Sequence, residues 1–154
     1  MSNNMNLAKN FKITRKDNLL KSVVFIDGQA GCGKTLLNSI IASYNRVELM
    51  NYAPEVENLC ILKNLNKISN DAVESLIKIQ MDLTLYETMM SRRVNFRPTD
   101  LSSAFKDKNF SKYLKRLKMK GDEHIPKKIQ KENPILHFAV HNLLPYSAPI
   151  FKSL

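Results

Sequence analysis

A chain of 154 residues, 44% apolar and 25% charged, has the length of one domain and enough apolar side chain for one core, which excludes intrinsic disorder over most of it. The longest uncharged stretch, 133–151, contains Pro134, Pro145 and Pro149 and so is no membrane helix, and the Asn-rich first 18 residues lack the apolar run of a signal peptide. Two cysteines, Cys32 and Cys60, make neither a disulfide framework nor a metal site; the expected setting is the reducing cytoplasm.

The first 21 residues read as a loose leader with Leu7, Phe11 and Ile13 as its few apolar anchors, and residues 22–154 as the folded domain. Val23-Val24-Phe25-Ile26-Asp27 is a buried strand by its β-branched and aromatic content. A glycine cluster follows. Lys34 to Tyr44 is then an amphipathic helix, with Leu36, Leu37, Ile40, Ile41 and Tyr44 expected inward. Val47 to Met50 is a second strand candidate. Pro54, followed by Glu55 and Glu57, opens a helix that breaks between Asn64 and Asn70.

Ser69 or Asn70 caps a long helix running to about Arg93, with Val73, Leu76, Ile77, Leu83, Tyr86 and Met90 expected inward. Asp100 or Ser103 starts a short helical turn. Ser111 caps a basic helix with Tyr113, Leu114 and Leu117 on its inner side, and 122–134 is a connector. Ile135 to Val140 is the last strand, and it leads into His141-Asn142-Leu143-Leu144-Pro145. His137, inside it, reads as a core histidine.

The net charge is +10, and it is concentrated. Residues 106–131 hold ten Lys and Arg against three acids, so this segment alone carries +7. Such a field attracts anions of any kind, or it is a solvated helix face.

Gly28-Gln29-Ala30-Gly31-Cys32-Gly33-Lys34-Thr35 fits G-x-x-x-x-G-K-[ST] between a strand and a helix. The chain has four glycines, and three of them fall in this loop. Their bare amides, with a helix N-terminus behind them, would cradle phosphate oxygens, while Lys34 adds a charge and Thr35 a hydroxyl. Cys32 reads as a small residue that fits the loop. Asp27 is expected to fix the turn. Alternating strands and helices around such a loop imply an α/β P-loop three-layer fold with a short parallel sheet, helix-rich in its middle and incomplete after residue 154.

A magnesium-dependent kinase would place Asp or Glu at the end of a strand neighbouring the loop, and here the last strand runs into His141 instead. At this point the chain resembles the cytosolic sulfotransferases, P-loop proteins in which a strand is followed by Thr-His-Leu-Pro. The resemblance implies that His141 is a catalytic base and that 3′-phosphoadenosine 5′-phosphosulfate (PAPS) is the donor. It also implies that Gly28–Thr35 holds the phosphosulfate, that Lys34 stabilises developing charge, and that no metal is needed. Where that family carries Lys or Arg, two positions before the last loop glycine, this chain has Gly31; its lysine, Lys34, stands where kinases have theirs.

The alternatives are an ATP- and magnesium-dependent kinase and a non-enzymatic anion- or nucleic-acid-binding module built on 106–131. Aromatic residues are too sparse there for nucleic acid to be the expected partner. Arg92, Arg93 and Arg97, around Phe96, are candidates to bind an anionic small-molecule or glycan acceptor, or the donor's 3′-phosphate. With few strands in the sheet, the first is expected to be an exposed edge through which the chain self-associates.

Overall fold

The computed structural model describes residues 11–15, 18–121 and 124–154, and among these it is a mixed α/β fold with six α-helices and one small parallel sheet. Strand β1 is Val23–Ile26, β2 is Asn51–Tyr52 and β3 is Leu136–Ala139, in the order β1-β3-β2. The last strand in the sequence is thus the central one. Its register sets Val23 against Leu136 and Ile26 against Ala139 on one side, and Asn51 against Phe138 on the other. The expected second strand over Val47 to Met50 is displaced: Val47 makes one isolated bridge to Ile135, and continuous pairing begins at Asn51.

The helices are α1 (Lys34–Ala42), α2 (Pro54–Asn64), α3 (Asn70–Met89), α4 (Phe110–Leu117), α5 (His124–Glu132) and α6 (Ala148–Ser153). Leu136 and Phe138 on β3, with Val140 just after it, join Val73, Ile77, Met81, Leu85 and Met89 of α3 in the main core, together with α2, α5 and α6. The alternate residue His137 faces α1, as the two-residue period of a strand requires. A smaller cluster of Ala42, Leu49, Ala104 and Tyr113 lies on that side.

Ser69 caps α3 by accepting from the Ala72 amide at 3.4 Å, and Ser103 caps a short 3-10 turn at Ala104–Lys106. Helix α3 stops at Met89, short of Arg93, and Leu76 and Leu83 are on its outer side. Helix α4 starts at Phe110 after Asn109, with no side-chain cap from Ser111. The stretch read as a connector contains α5, where Pro126 stands in the first turn and removes no helical hydrogen bond.

Two further inward faces differ from expectation. On α1 the buried residues are Asn38 and Ala42, while Leu36 (74% exposed), Leu37 and Ile40 point outward, as does Tyr44 just past its end. On α4 the buried pair is Tyr113 and Arg116, with Leu114 and Leu117 outside. The N-terminal segment is anchored where it is described. Asp82, buried on α3, accepts from the Leu19 and Leu20 amides and pairs with Arg15 at 2.6 Å, and Leu20 enters the core. Leu7 lies outside the described residues.

Candidate functional site

Parallel strands present all their carboxyl ends at one edge of the sheet, and chemistry collects there. Along that edge lie the glycine loop after β1, His141 after β3 and Tyr52 at the end of β2. The loop needs its glycines. Gly28, Gly31 and Gly33 have φ of 149°, 81° and 87°, and a Cβ on Gly28 would come within 2.7 Å of Cys32 Sγ. Gly33 itself caps α1, whose first amides carry no side-chain cap and stay available to a ligand. The Lys34 ammonium folds back over the loop and donates to the carbonyls of Gly28 and Gln29. Gln29, Ala30, Gly31 and Cys32 are exposed, and Thr35 is half-buried.

Asp27 joins the two loops at this edge. One carboxylate oxygen accepts from the Gly28 amide and the other from the Leu144 amide, both at 2.7 Å. Partial burial opposes its ionisation, but the amides of Leu144, Leu143, Gly28 and Asn142 outweigh that and hold its carboxyl below the usual range. The turn-fixing role read from the sequence therefore extends to the segment that carries His141.

His141 is exposed, and its environment is specific. Its ring lies parallel to that of Tyr52, 9° apart in plane with centroids 6.3 Å apart. Glu57, in the first turn of α2, accepts from the His141 amide at 3.2 Å, and the same oxygen lies 3.6 Å from Nδ1. Neither Tyr52 nor Glu57 was singled out as a site residue from the sequence. The available signal was positional: Pro54 starts α2 directly after β2, so the carboxylate three residues on must lie near the sheet's carboxyl edge. One turn deeper, the Cys60 thiol is pushed up to about 11, chiefly by burial and next by the Glu57 charge, and is inert.

His137 is fully buried, and its Nε2 donates to Asn38 Oδ1 at 2.8 Å. Burial lowers its imidazole to about 4, so it is neutral near pH 7. Asn38 in turn donates to Met50 Sδ, at the floor of a cleft of about 200 Å3 that runs from Thr35 and Ser39 to Lys106 and Lys108.

The three arginines do not converge. Arg93 pairs with Glu87 at 2.7 Å and lines a depression with Tyr52, Arg97 reaches Asp100 at 3.8 Å, and Arg92 is exposed. The basic segment is also divided. Arg116 is 2% exposed and forks onto the buried Glu48 at 2.7 and 3.0 Å, with Lys112 on the same carboxylate at 2.9 Å. Lys106, Lys108, Lys115, Lys118, Lys120, Lys127 and Lys131 remain exposed.

Among the described residues no helix is long and apolar enough to cross a membrane. Comparisons with protein-family models, curated proteins and solved structures find no match to this chain.

Proposed function

We propose that this chain has a P-loop fold and is a sulfuryl transferase that uses PAPS. The observation that carries the reading is the Asp27 bridge, which holds the glycine loop and the His141 segment side by side at one sheet edge. The donor supplies an activated sulfuryl group. The loop amides after Gly28, whose own N–H is held by Asp27, bind its phosphosulfate oxygens within Gly28–Thr35, and Lys34 exchanges its loop carbonyls for them. As an acceptor hydroxyl or amine attacks sulfur, His141 takes its proton and the bond from sulfur to the bridging phosphate oxygen breaks. Charge then grows on that oxygen, and Lys34 offsets it. The products are the sulfated acceptor and adenosine 3′,5′-bisphosphate.

The alternative is an ATP-dependent kinase, which the position of Lys34 favours. Its magnesium does not fit these residues. Beside the loop, β3 runs out into Val140 and His141, Asp27 is committed to two amides, and Glu57 to His141.

Thermal unfolding with adenosine 3′,5′-bisphosphate, with ATP with and without magnesium, and with single-stranded DNA separates the readings. Stabilisation by the bisphosphate without metal is expected, and Lys34→Ala should abolish it while leaving the fold intact, because Lys34 makes little core. Stabilisation by ATP and magnesium alone would favour the kinase. A response to DNA alone would move function to the exposed lysines of 106–131, and unchanged nucleotide affinity in Lys34→Ala would remove the phosphate-loop assignment.

A further inference from the structure

We infer that Glu57 is a positioning residue that fixes the tautomer of His141, and so decides which ring nitrogen is the base. The inference rests on the reading of His141 as the base. A neutral imidazole carries one proton on one of two nitrogens, and the neighbour of one nitrogen decides the state of the other. A base must leave its substrate-facing nitrogen bare.

The surroundings of His141 are asymmetric. The Glu57 carboxylate approaches only Nδ1, and the same oxygen is tied to the His141 amide, so ring and backbone are gripped from one side. The Tyr52 ring lies parallel to that of His141, with centroids 6.3 Å apart. Glu57 itself stands on a helix start fixed by Pro54, and its side chain is mostly enclosed (17% exposed). A carboxylate there is acceptor-only and therefore selects the Nδ1–H form. The 3.6 Å separation exceeds a formed hydrogen bond, and a small ring rotation closes it without any ligand. Nε2, bare and facing solvent at the carboxyl edge, then receives the acceptor's proton. The resulting imidazolium keeps its Nδ1 side toward the Glu57 carboxylate.

The test is nitrogen-15 NMR of the histidine rings in the ligand-free full chain at mildly alkaline pH. Three histidines are present, and His141→Gln assigns the signal. His141 should show the Nδ1–H tautomer, opposite to the Nε2–H form that a solvated imidazole prefers. Glu57→Ala should return it to Nε2–H. Glu57→Asp keeps the negative charge at the helix start but withdraws the carboxylate by one methylene, and should do the same, which guards against a variant that fails to fold. In turnover with PAPS, both variants should lose about ten- to a hundredfold in kcat with donor KM unchanged. A wild-type Nε2–H tautomer, or an Nδ1–H tautomer that survives both substitutions, overturns the inference. A tautomer that switches as stated in a chain with no response to the bisphosphate supports the dyad and overturns sulfuryl transfer instead.

Discussion

His137 and His141 stand four positions apart at the end of one chain segment, and the sheet separates their chemistry. His137 points into the α1 face and stays neutral; His141 lies past the strand end, against a carboxylate and in water. The buried ring has a consequence for acid stability. Its folded value of about 4 lies below the ordinary 6.5, so below pH 6.5 the unfolded chain takes up a proton that the folded chain refuses. Its contribution is therefore complete above pH 6.5 and is lost as pH falls toward 4. For the Glu48 carboxyl, burial acts upward, but the Arg116 hydrogen bonds and charge, joined by Lys112, prevail and hold it below its ordinary 4.5. Glu48 adds a further loss only below that pH. Urea unfolding should thus show falling stability between about pH 6.5 and 4.5, and His137→Gln should flatten that limb while leaving the steeper loss below it. Equal unfolding free energies across that window in the wild type would rule out a neutral buried His137.

The elements show which kind of sequence signal carries furthest. The glycine loop, the start of α2 at Pro54, the Ser69 cap and β3 were legible because each depends on chemistry within a few residues. Inward faces were not. A helical period says which residues share a face but not which face is turned in. On α1 the sheet accepts the side with Ala42 and with Asn38, which binds His137, and leaves the apolar stripe outside. On α4 a buried arginine is stable only because Glu48, 68 positions earlier, is buried with it, and no local pattern reveals such a partner. The fork grips α4 to the segment before β2, and Tyr113, which accepts from the Leu49 amide at 3.2 Å, grips it again. Removing Arg116 leaves the buried Glu48 carboxylate with Lys112 alone. Arg116→Met should therefore cost about 3–5 kcal/mol of folding stability. Replacing Glu48 by Gln in the same chain should recover most of the loss, since neither charge then remains buried. Chemical denaturation of the two variants measures this, and additive losses would show that the pair is not coupled. Glu57 was missed as a site residue for a related reason: its partner arrives 84 positions later, on the loop after β3.

At the scale of the whole molecule, β1 is an edge strand, paired among the described residues on its β3 side alone. β3 satisfies the inner groups of β1 through bonds such as Leu136 N–H to Ser22 O and Val140 N–H to Ile26 O. By the alternation of a parallel ladder, the N–H and C=O groups of Val23 and Phe25 face away from β3, and no strand among the described residues pairs with them. Beside this edge, Val23, Phe25, Leu143, Leu144, Ile150 and Phe151 line an apolar groove of about 320 Å3. One loop further on, α1 turns Leu36, Leu37 and Ile40 to solvent. A free hydrophobic edge of this kind recruits strands, and the strand always at hand is β1 of a second copy. Charge opposes the union, because each copy carries +10. Association should therefore strengthen as salt screens the repulsion, the reverse of an assembly held by ion pairs. Sedimentation at two salt concentrations measures it, with dimers or larger species expected to increase at the higher one. Val23→Pro removes an outward N–H that β3 does not use, and should shift the population to monomer while circular dichroism stays unchanged. Ile40→Glu, placed on the exposed face of α1, separates the two surfaces: it should leave association intact if the strand edge is the contact, and abolish it if the helix is. A wild-type chain that stays monomeric at both salt concentrations would show that this edge does not recruit its own kind.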